Sequence, residues 1–328
     1  MRVPLLEVIN LRTYYETRRG LVKAVDGVNL TLDKGEILGV AGESGCGKTT
    51  LALSIMKLLP PEGKIVSGKI LLGGEDIVTK SEEEMRRIRW EKVSMVFQHS
   101  MNALNPVLTI ERQLLDAIRA HKNLSKEEAI RKAKRLFEMV GLDPSRLRSY
   151  PHEFSGGMRQ RVMMAMALAA DPQLVIADEP TTGLDVITQS QILELLKSLE
   201  RRLGLSVMII THDLAVIAEA CDRVAIMYAG KIVETADVMT LFKAPMHPYT
   251  ALLIKAFPSI KRSKEERLPD IKGKPPTLLN PPRGCRFHPR CPYAREECRH
   301  SEPPLVELGK NHLVACHLAG ELELEGRP

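Results

Sequence analysis

Aromatic side chains make up only 4% of this 328-residue chain, with a single tryptophan. A nucleic-acid surface built on stacking aromatics is therefore disfavoured, the more so as the formal charge of +6 is modest. No nucleic-acid partner is expected. There is no run of about 18 apolar residues, so no stretch has the length to cross a bilayer as a helix. The first residues lack the basic-then-apolar pattern of a secretory leader, which in this reading leaves the protein in the cytoplasm, free to dock on a membrane protein. Long coiled-coil insertions and tandem copies of any motif are also missing. Cysteines number only six. Cys46 and Cys221 stand alone, while four crowd the last fifth of the chain, where a reducing compartment favours metal ligation over disulfides.

What is present centres on Gly42-Glu43-Ser44-Gly45-Cys46-Gly47-Lys48-Thr49. Residues 37–41 ahead of it form an apolar run expected as a buried strand, and residues 51–59 beyond it carry helical apolar spacing. A glycine-rich turn between strand and helix points several backbone N–H groups into one concavity at the positive end of a helix dipole. Gly42, Gly45 and Gly47 let the backbone approach a phosphate. Lys48 reaches β- and γ-phosphates, and the Thr49 hydroxyl can ligate Mg²⁺. The loop, counted through Thr50, is a nucleoside triphosphate site.

Residues 5–11 and 25–32 alternate apolar and polar and are expected as two strands of a small antiparallel sheet. A polar turn between them carries Tyr14 and Tyr15. By itself Tyr15 is a strand-end packing residue, although a ring ahead of a phosphate loop can also stack on a purine. A charged helix over residues 81–90 is capped by Ser81, and a short buried strand, residues 93–97, ends in Gln98. A loop, residues 99–106, leads to helices over 109–121 and 125–140, the second opened by a Ser125/Glu128 capping box. Ser155 then takes an N-cap position, and Ser155-Gly156-Gly157 opens a helix that ends before Asp171-Pro172. That opening can be a plain cap or a second anion site.

Residues 174–177 form a buried strand running into Asp178-Glu179. Carboxylates at the end of a parallel strand lie where open α/β sheets bind ligands. Asp178 can hold a Mg²⁺-bound water, and Glu179 can polarise an attacking water as general base. Gly183-Leu184-Asp185 precedes a helix expected over 188–203. The strand 206–210 ends at Thr211-His212, and residues 223–228 and 231–234 form a hairpin.

Phosphate loop, Gln98 loop, Ser-Gly-Gly helix, Asp-Glu strand end, Gly-Leu-Asp and strand-end histidine occur in one order. The set resembles the ATP-binding subunits of ABC transporters over residues 1 to about 245. The resemblance implies an α/β fold: a P-loop NTPase (RecA-like) core, an antiparallel β-subdomain and an inserted α-helical subdomain, about residues 99–165. It also implies roles. Tyr15 is similar to the adenine-stacking aromatic. Gln98 resembles the lid-loop glutamine that senses Mg²⁺ and the γ-phosphate. Ser155, Gly156 and Gly157 resemble the signature that contacts ATP held by an opposite subunit. Asp185 resembles the residue linking two sites across that interface, and His212 the switch histidine. Phe154 and Met158 depart from the usual leucine and glutamine, which leaves homodimer and heterodimer both open.

The tail, residues 246–328, opens on Met246-His247-Pro248-Tyr249-Thr250 and a helix to residue 257. A charged linker, residues 261–267, and proline pairs follow, then Cys285, Cys291, Cys298 and Cys316, with 5, 6 and 17 residues between them. A strand-like stretch, residues 313–315, precedes the last cysteine. Four thiols can close round one centre, but the two-residue knuckle of many structural zinc sites is missing, as is the tight ferredoxin run. Zinc and iron–sulfur both stand, as do plain reduced thiols. His247-Pro248-Tyr249-Thr250 with the Arg-Gly-Cys…Cys-Pro tail is similar to the C-terminal extension of oligopeptide/dipeptide importer ATPases. That resemblance favours a [4Fe–4S] cluster at residues 285–316.

The implied protein is an importer ATPase peripheral to the cytoplasmic face of the membrane, working on ATP and Mg²⁺. Its implied partners are a second ABC ATPase subunit, two membrane permease subunits and, indirectly, an extracytoplasmic substrate-binding protein. Di- and oligopeptides are the cargo the resemblance implies; oligosaccharides and nickel remain alternatives. A soluble ABC-type ATPase acting on nucleic acid or ribosomes is the rival of a different class.

Overall fold

Residues 4–98, 103–256 and 271–326 are described by the computed structural model of the chain. Much of the loop 99–106 opens outside these residues, as do the expected linker 261–267 and the last residue of the helix ahead of it. The chain begins with strands β1 (Leu6–Thr17), β2 (Gly20–Leu32) and β3 (Ile37–Ala41), then helix α1 (Lys48–Met56). Next come β4 (Gly63–Leu72), β5 (Glu75–Asp76), α2 (Glu82–Glu91) and β6 (Val93–Val96). Three helices follow, α3 (Ile110–His121), α4 (Lys126–Met139) and α5 (Gly156–Ala167). An alternating run holds β7 (Leu174–Asp178), α6 (Val186–Leu203), β8 (Ser206–Thr211), α7 (Leu214–Ala220), β9 (Arg223–Tyr228) and β10 (Lys231–Asp237). The tail adds α8 (Val238–Lys243), α9 (Pro248–Ala256), α10 (Glu296–His300), β11 (Val306–Gly309) and β12 (His312–Val314).

Two compact units divide the chain. The first gathers Met1–Leu5, Leu32–Ile37 and Leu72–Ile210; the second gathers Leu6–Thr31, Leu38–Leu71 and Thr211–Pro328.

In the first unit β6, β7 and β8 run parallel, with Val93 opposite Leu174 and Leu174 opposite Ser206. All five residues of β7 are buried, as an apolar run covered on both faces requires. Asp178 closes β7 opposite Ile210, so the carboxylates leave the sheet at the carboxyl ends of its strands. The first two of the central helices, α3 and α4, are amphipathic. α3 buries Ile110, Leu114, Leu115 and Ile118, and α4 buries Ala129, Ala133, Leu136 and Phe137, a one-sided spacing that faces neighbouring helices. Ser125 and Glu128 form the expected capping box, as do Ser81 and Glu84 on α2. The expected helix 81–90 loses its last turn. Arg89 and Trp90 leave helical geometry, Arg89 to grip Glu82 at 2.6 and 3.2 Å and Trp90 to stack on His121 at 5.2 Å.

In the second unit β1 lies between β2 and β4. β1 is longer than its alternation predicts, because Asn10 adopts a left-handed φ of 45° and shifts the buried set from Leu6 and Val8 to Leu11 and Thr13. A bulge of this kind prolongs a strand while resetting its faces. Tyr14 and Tyr15 therefore lie in the strand, and the turn falls at residues 18–19. β3 is buried throughout and runs parallel to β9, with Leu38 opposite Arg223 and Ala41 opposite Ile226. β9 and β10 form the expected antiparallel hairpin, β10 continuing to Asp237. The tail then joins this sheet: β12 pairs with β10 through Glu234–Val314 and Thr235–Leu313, and β11 pairs with β12. The core of this unit places Ala41 and Tyr228 together with Tyr249, Ile271 and Phe287 from the tail. Tyr249 is 0% and Phe287 1% exposed. Burying rings of that size contributes roughly 1.5–3 kcal/mol each, so the tail is part of this core.

Candidate functional site

The phosphate loop belongs to the second unit, between β3 and α1. Gly47 caps α1 with no side-chain hydrogen bond, which leaves the first-turn N–H groups to a ligand. Two of its glycines answer to the packing beneath the loop. A Cβ at Gly42 would stand 2.1 Å from the Met227 carbonyl oxygen, and one at Gly47 would stand 2.0 Å from that of Ala24. Backbone of β9 and β2 thus presses the loop from below. Cys46 is packed there too, 5% exposed, and burial pushes its thiol above the ordinary cysteine range.

Lys48 Nζ donates to the carbonyls of Gly42 at 2.7 Å and Glu43 at 3.0 Å, and to Cys46 Sγ at 3.7 Å. The ammonium is therefore held over the loop, where a phosphate would compete with two carbonyls for it. Ser44, Gly45 and Thr49 are exposed. The Tyr15 hydroxyl lies 3.2 Å from Thr50 Oγ1, and its ring fills the space above Gly63, where a Cβ would meet it at 2.8 Å. His212 is exposed between β8 and α7, followed by Asp213, which caps α7 by accepting from the Ala215 N–H at 2.8 Å.

The first unit holds the carboxylate end. Gln98 Nε2 donates to Glu179 Oε2 at 2.7 Å, and Thr182 Oγ1 donates to the same oxygen at 2.9 Å. Two expected site residues, 81 positions apart, are thus joined directly. Asp178 beside them is 1% exposed. Glu179 has a left-handed φ of 47° while its N–H donates to the Ile210 carbonyl at 2.8 Å. A side-chain-bearing residue held there costs about 1–3 kcal/mol, strain typical of positions fixed for function.

Ser155 caps α5, accepting from the Met158 N–H at 3.3 Å. A Cβ on Gly157 would come 2.4 Å from Thr188 Cγ2, so this glycine lets α5 pack on the start of α6. Thr188 in turn is bound by Asp185, which accepts from its N–H at 3.0 Å and its hydroxyl at 2.7 Å. Those bonds hold the Asp185 carboxyl below the usual range. α6 begins at Val186, two residues before its expected start, because Asp185 is its cap. Both departures from the usual signature meet one side chain. Arg146 lies over the buried Phe154 ring at 4.7 Å and donates to Met158 Sδ at 3.8 Å.

Among the described residues no three His, Cys, Asp or Glu side chains converge to hold a metal ion. The closed cage expected of Cys285, Cys291, Cys298 and Cys316 is therefore not formed. The four thiols do share one neighbourhood. The Cys285 N–H donates to the Cys298 carbonyl at 2.9 Å, and Cys285, Cys291 and Cys316 each feel the charge of other thiols of the set. Burial pushes each of those three up to about 11, while backbone N–H groups of Phe287, His288, Tyr293 and Leu318 oppose the rise.

The tail also reaches the phosphate loop, which the sequence did not reveal. The Tyr249 hydroxyl accepts from the Glu43 N–H at 3.0 Å. Arg290 grips the Glu43 carboxylate with both prongs, at 2.7 and 3.0 Å. Arg286 bonds the Ala229 carbonyl and Asp26. The only signal available was the position of each arginine one step from a cysteine.

Comparison with known proteins places these features in company. The ABC transporter family matches residues 25–182, and the family described as oligopeptide/dipeptide transporter, C-terminal region, matches residues 233–298. An oligopeptide transport ATP-binding protein of Bacillus subtilis is 48% identical over 94% of this chain and 87% of its own length. A probable peptide ABC transporter ATP-binding protein of Sinorhizobium fredii is 47% identical over 97% of this chain and 96% of its own. Among solved structures, a dimeric ATP-binding cassette in a post-hydrolysis state bound to ADP and Pi superposes with a TM-score of 0.63 at 29% identity. That match covers 71% of this chain and 98% of the cassette.

Proposed function

We propose, because this chain belongs to the ABC transporter family of ATP-binding subunits, that it hydrolyses ATP to drive a membrane importer of di- and oligopeptides. The cargo rests on relatives named for oligopeptide and dipeptide transport. The hydrolytic reading is carried by one observation, the 2.7 Å hydrogen bond that aims Glu179 from Gln98 at the end of β7. In this reading residues 1–245 are the ATP-binding domain, with its helical part about 99–165, and residues 246–328 are the extension.

The roles follow from the chemistry of each group. Gly42 to Thr50 cradle the phosphates, Lys48 offsets their charge, and Tyr15 stacks on the adenine. Thr49, Gln98 and Asp178 offer the hard oxygen ligands that suit Mg²⁺, with Asp178 acting through water. The ion, when bound, neutralises phosphate charge. Glu179 takes a proton from the water attacking the γ-phosphorus, and His212 contacts the γ-phosphate.

Each ATP also needs Ser155, Gly156 and Gly157 from an opposite subunit, with Asp185 at the shared interface. Exposed apolar residues support such a face: Val186 is 80% and Ile187 73% exposed beside Asp185. Phe97 and Val107, also exposed, support a permease contact near the Gln98 loop. No helix among the described residues is long and apolar enough to cross a membrane. Peripheral attachment at the cytoplasmic face, beneath two permease subunits fed by an extracytoplasmic binding protein, fits that.

Specific ATPase activity is expected to rise with the concentration of the chain, or of an added related ATPase subunit, since a dimer completes the site. A lone chain with a concentration-independent rate would falsify the reading. Co-purification with a membrane permease separates an importer from a soluble ATPase acting on nucleic acid or ribosomes.

For the tail we infer a [4Fe–4S] cluster on Cys285, Cys291, Cys298 and Cys316. The support is the set of four cysteines in one neighbourhood, where the Cys285 N–H donates to the Cys298 carbonyl at 2.9 Å and the Leu318 N–H donates to Cys316 Sγ at 3.4 Å, a hydrogen bond to sulfur of the kind such clusters use. Zn²⁺ on the same four thiols is the alternative reading. Anaerobically purified protein is expected to be brown and to hold iron and sulfide in equal amounts. A colourless preparation overturns the assignment.

A further inference from the structure

We propose that the C-terminal extension is a working part of the nucleotide site, with Arg290 and Tyr249 as residues that position the phosphate loop and correct its charge. The proposal rests on the reading of that loop as an ATP site. Glu43 is a carboxylate inside a loop built to receive a polyanion. Left alone it would repel the phosphates, and in a site partly shielded from water that repulsion is large. Arg290 answers it. Its side chain is 6% exposed, and its guanidinium holds both Glu43 oxygens, at 2.7 and 3.0 Å.

The arginine is itself fixed from three sides. Nε donates to the Lys272 carbonyl at 3.0 Å, Nη2 to the Ile271 carbonyl at 3.2 Å, and Nη1 to the Tyr228 hydroxyl at 3.3 Å. Tyr249 holds the same residue by its backbone, accepting from the Glu43 N–H. It is seated by ring contacts to Tyr228 at 4.6 Å and Phe287 at 5.3 Å. The loop therefore has one residue tied by main chain and side chain to groups 206 and 247 positions away. A two-pronged arginine grip fixes direction as well as charge. The loop can then present its N–H groups preformed rather than ordering them on binding.

The test is ATP affinity of the full chain, by equilibrium titration with ATP and with ADP. Arg290→Met is expected to weaken ATP binding about 10-fold or more, and ADP binding less, since the released carboxylate opposes the more highly charged ligand. Arg290→Lys keeps the charge and loses the fork, so its affinity should fall between the two. The double variant Glu43→Gln/Arg290→Met removes the repulsion along with its correction, and is expected to recover most of the lost ATP affinity. A merely structural role predicts that the double variant is no better than Arg290→Met, with ATP and ADP affected alike. That result overturns the proposal, as does unchanged ATP affinity in both Arg290→Met and Arg290→Lys. If Arg290→Met fails to fold, Arg290→Lys alone decides by the same ATP-against-ADP comparison. Wild-type protein that binds no ATP would instead remove the reading of the loop on which the proposal stands.

Discussion

Glu179→Gln is expected to lower ATP turnover by about 100-fold or more while ATP still binds, a size typical of losing a positioned general base. The substitution changes chemistry and little else. An amide oxygen at the same place can still accept from Gln98 and Thr182, the two donors that now hold Glu179 Oε2. The strained φ of 47° and the N–H bond to the Ile210 carbonyl belong to the backbone and persist. Only the capacity to take a proton goes. The variant should therefore trap nucleotide and remain in the ATP-bound dimer, since the γ-phosphate that holds the closed state is no longer cleaved. Single-turnover phosphate release and nucleotide titration on one preparation check both halves. Hydrolysis at the wild-type rate would remove Glu179 from the role of base.

Ser155→Arg should be as damaging to activity by a different route. The side chain is exposed at the start of α5, so an arginine fits there without disturbing the core. The loss of its cap on the Met158 N–H costs about 1 kcal/mol, small against the 5–15 kcal/mol that typically holds a domain together. The folded chain should bind ATP in its own phosphate loop with near-normal affinity. Under the proposed signature role the new guanidinium fills the place where a partner's nucleotide docks, so closure and hydrolysis should both fail. Size-exclusion chromatography with ATP, best run on Glu179→Gln with and without Ser155→Arg, shows the outcome. A closed dimer carrying Ser155→Arg contradicts the signature role. Ser155→Asn, which can keep the cap, separates the cap from the docking effect.

Much of the fold could be read locally because its signals are local. The apolar run of β7, the capping boxes of α2 and α4, and the hairpin of β9 and β10 depend on residues a few positions apart. The fold departs from its local signals where a group elsewhere in the chain intervenes. β1 continues through a bulge at Asn10, whose N–H is received by the Asn29 side chain at 2.9 Å. α2 is broken near its end, at Arg89 and Trp90, where Arg89 turns back to Glu82 and Trp90 stacks on His121. Asp185, assigned to an interface by resemblance, also caps α6, and that bond pattern of three residues was within reach of the sequence.

The amino-acid sequence by itself determined the local elements of the candidate site: a glycine-rich loop with Lys48 and Thr49, an Asp-Glu pair at a strand end, and a serine cap opening a helix on two glycines. The loop and the helix cap are short runs whose backbone geometry follows from their own residues, whereas Glu179 keeps its φ of 47° with its N–H on the Ile210 carbonyl. Tertiary structure alone decided why Gly42 and Gly47 cannot carry a side chain, since the carbonyls that crowd them come from Met227 and Ala24. It alone joined Arg290 to Glu43 across 247 positions. Contacts of that kind depend on which strands the folded sheet sets side by side, a property no window of sequence contains.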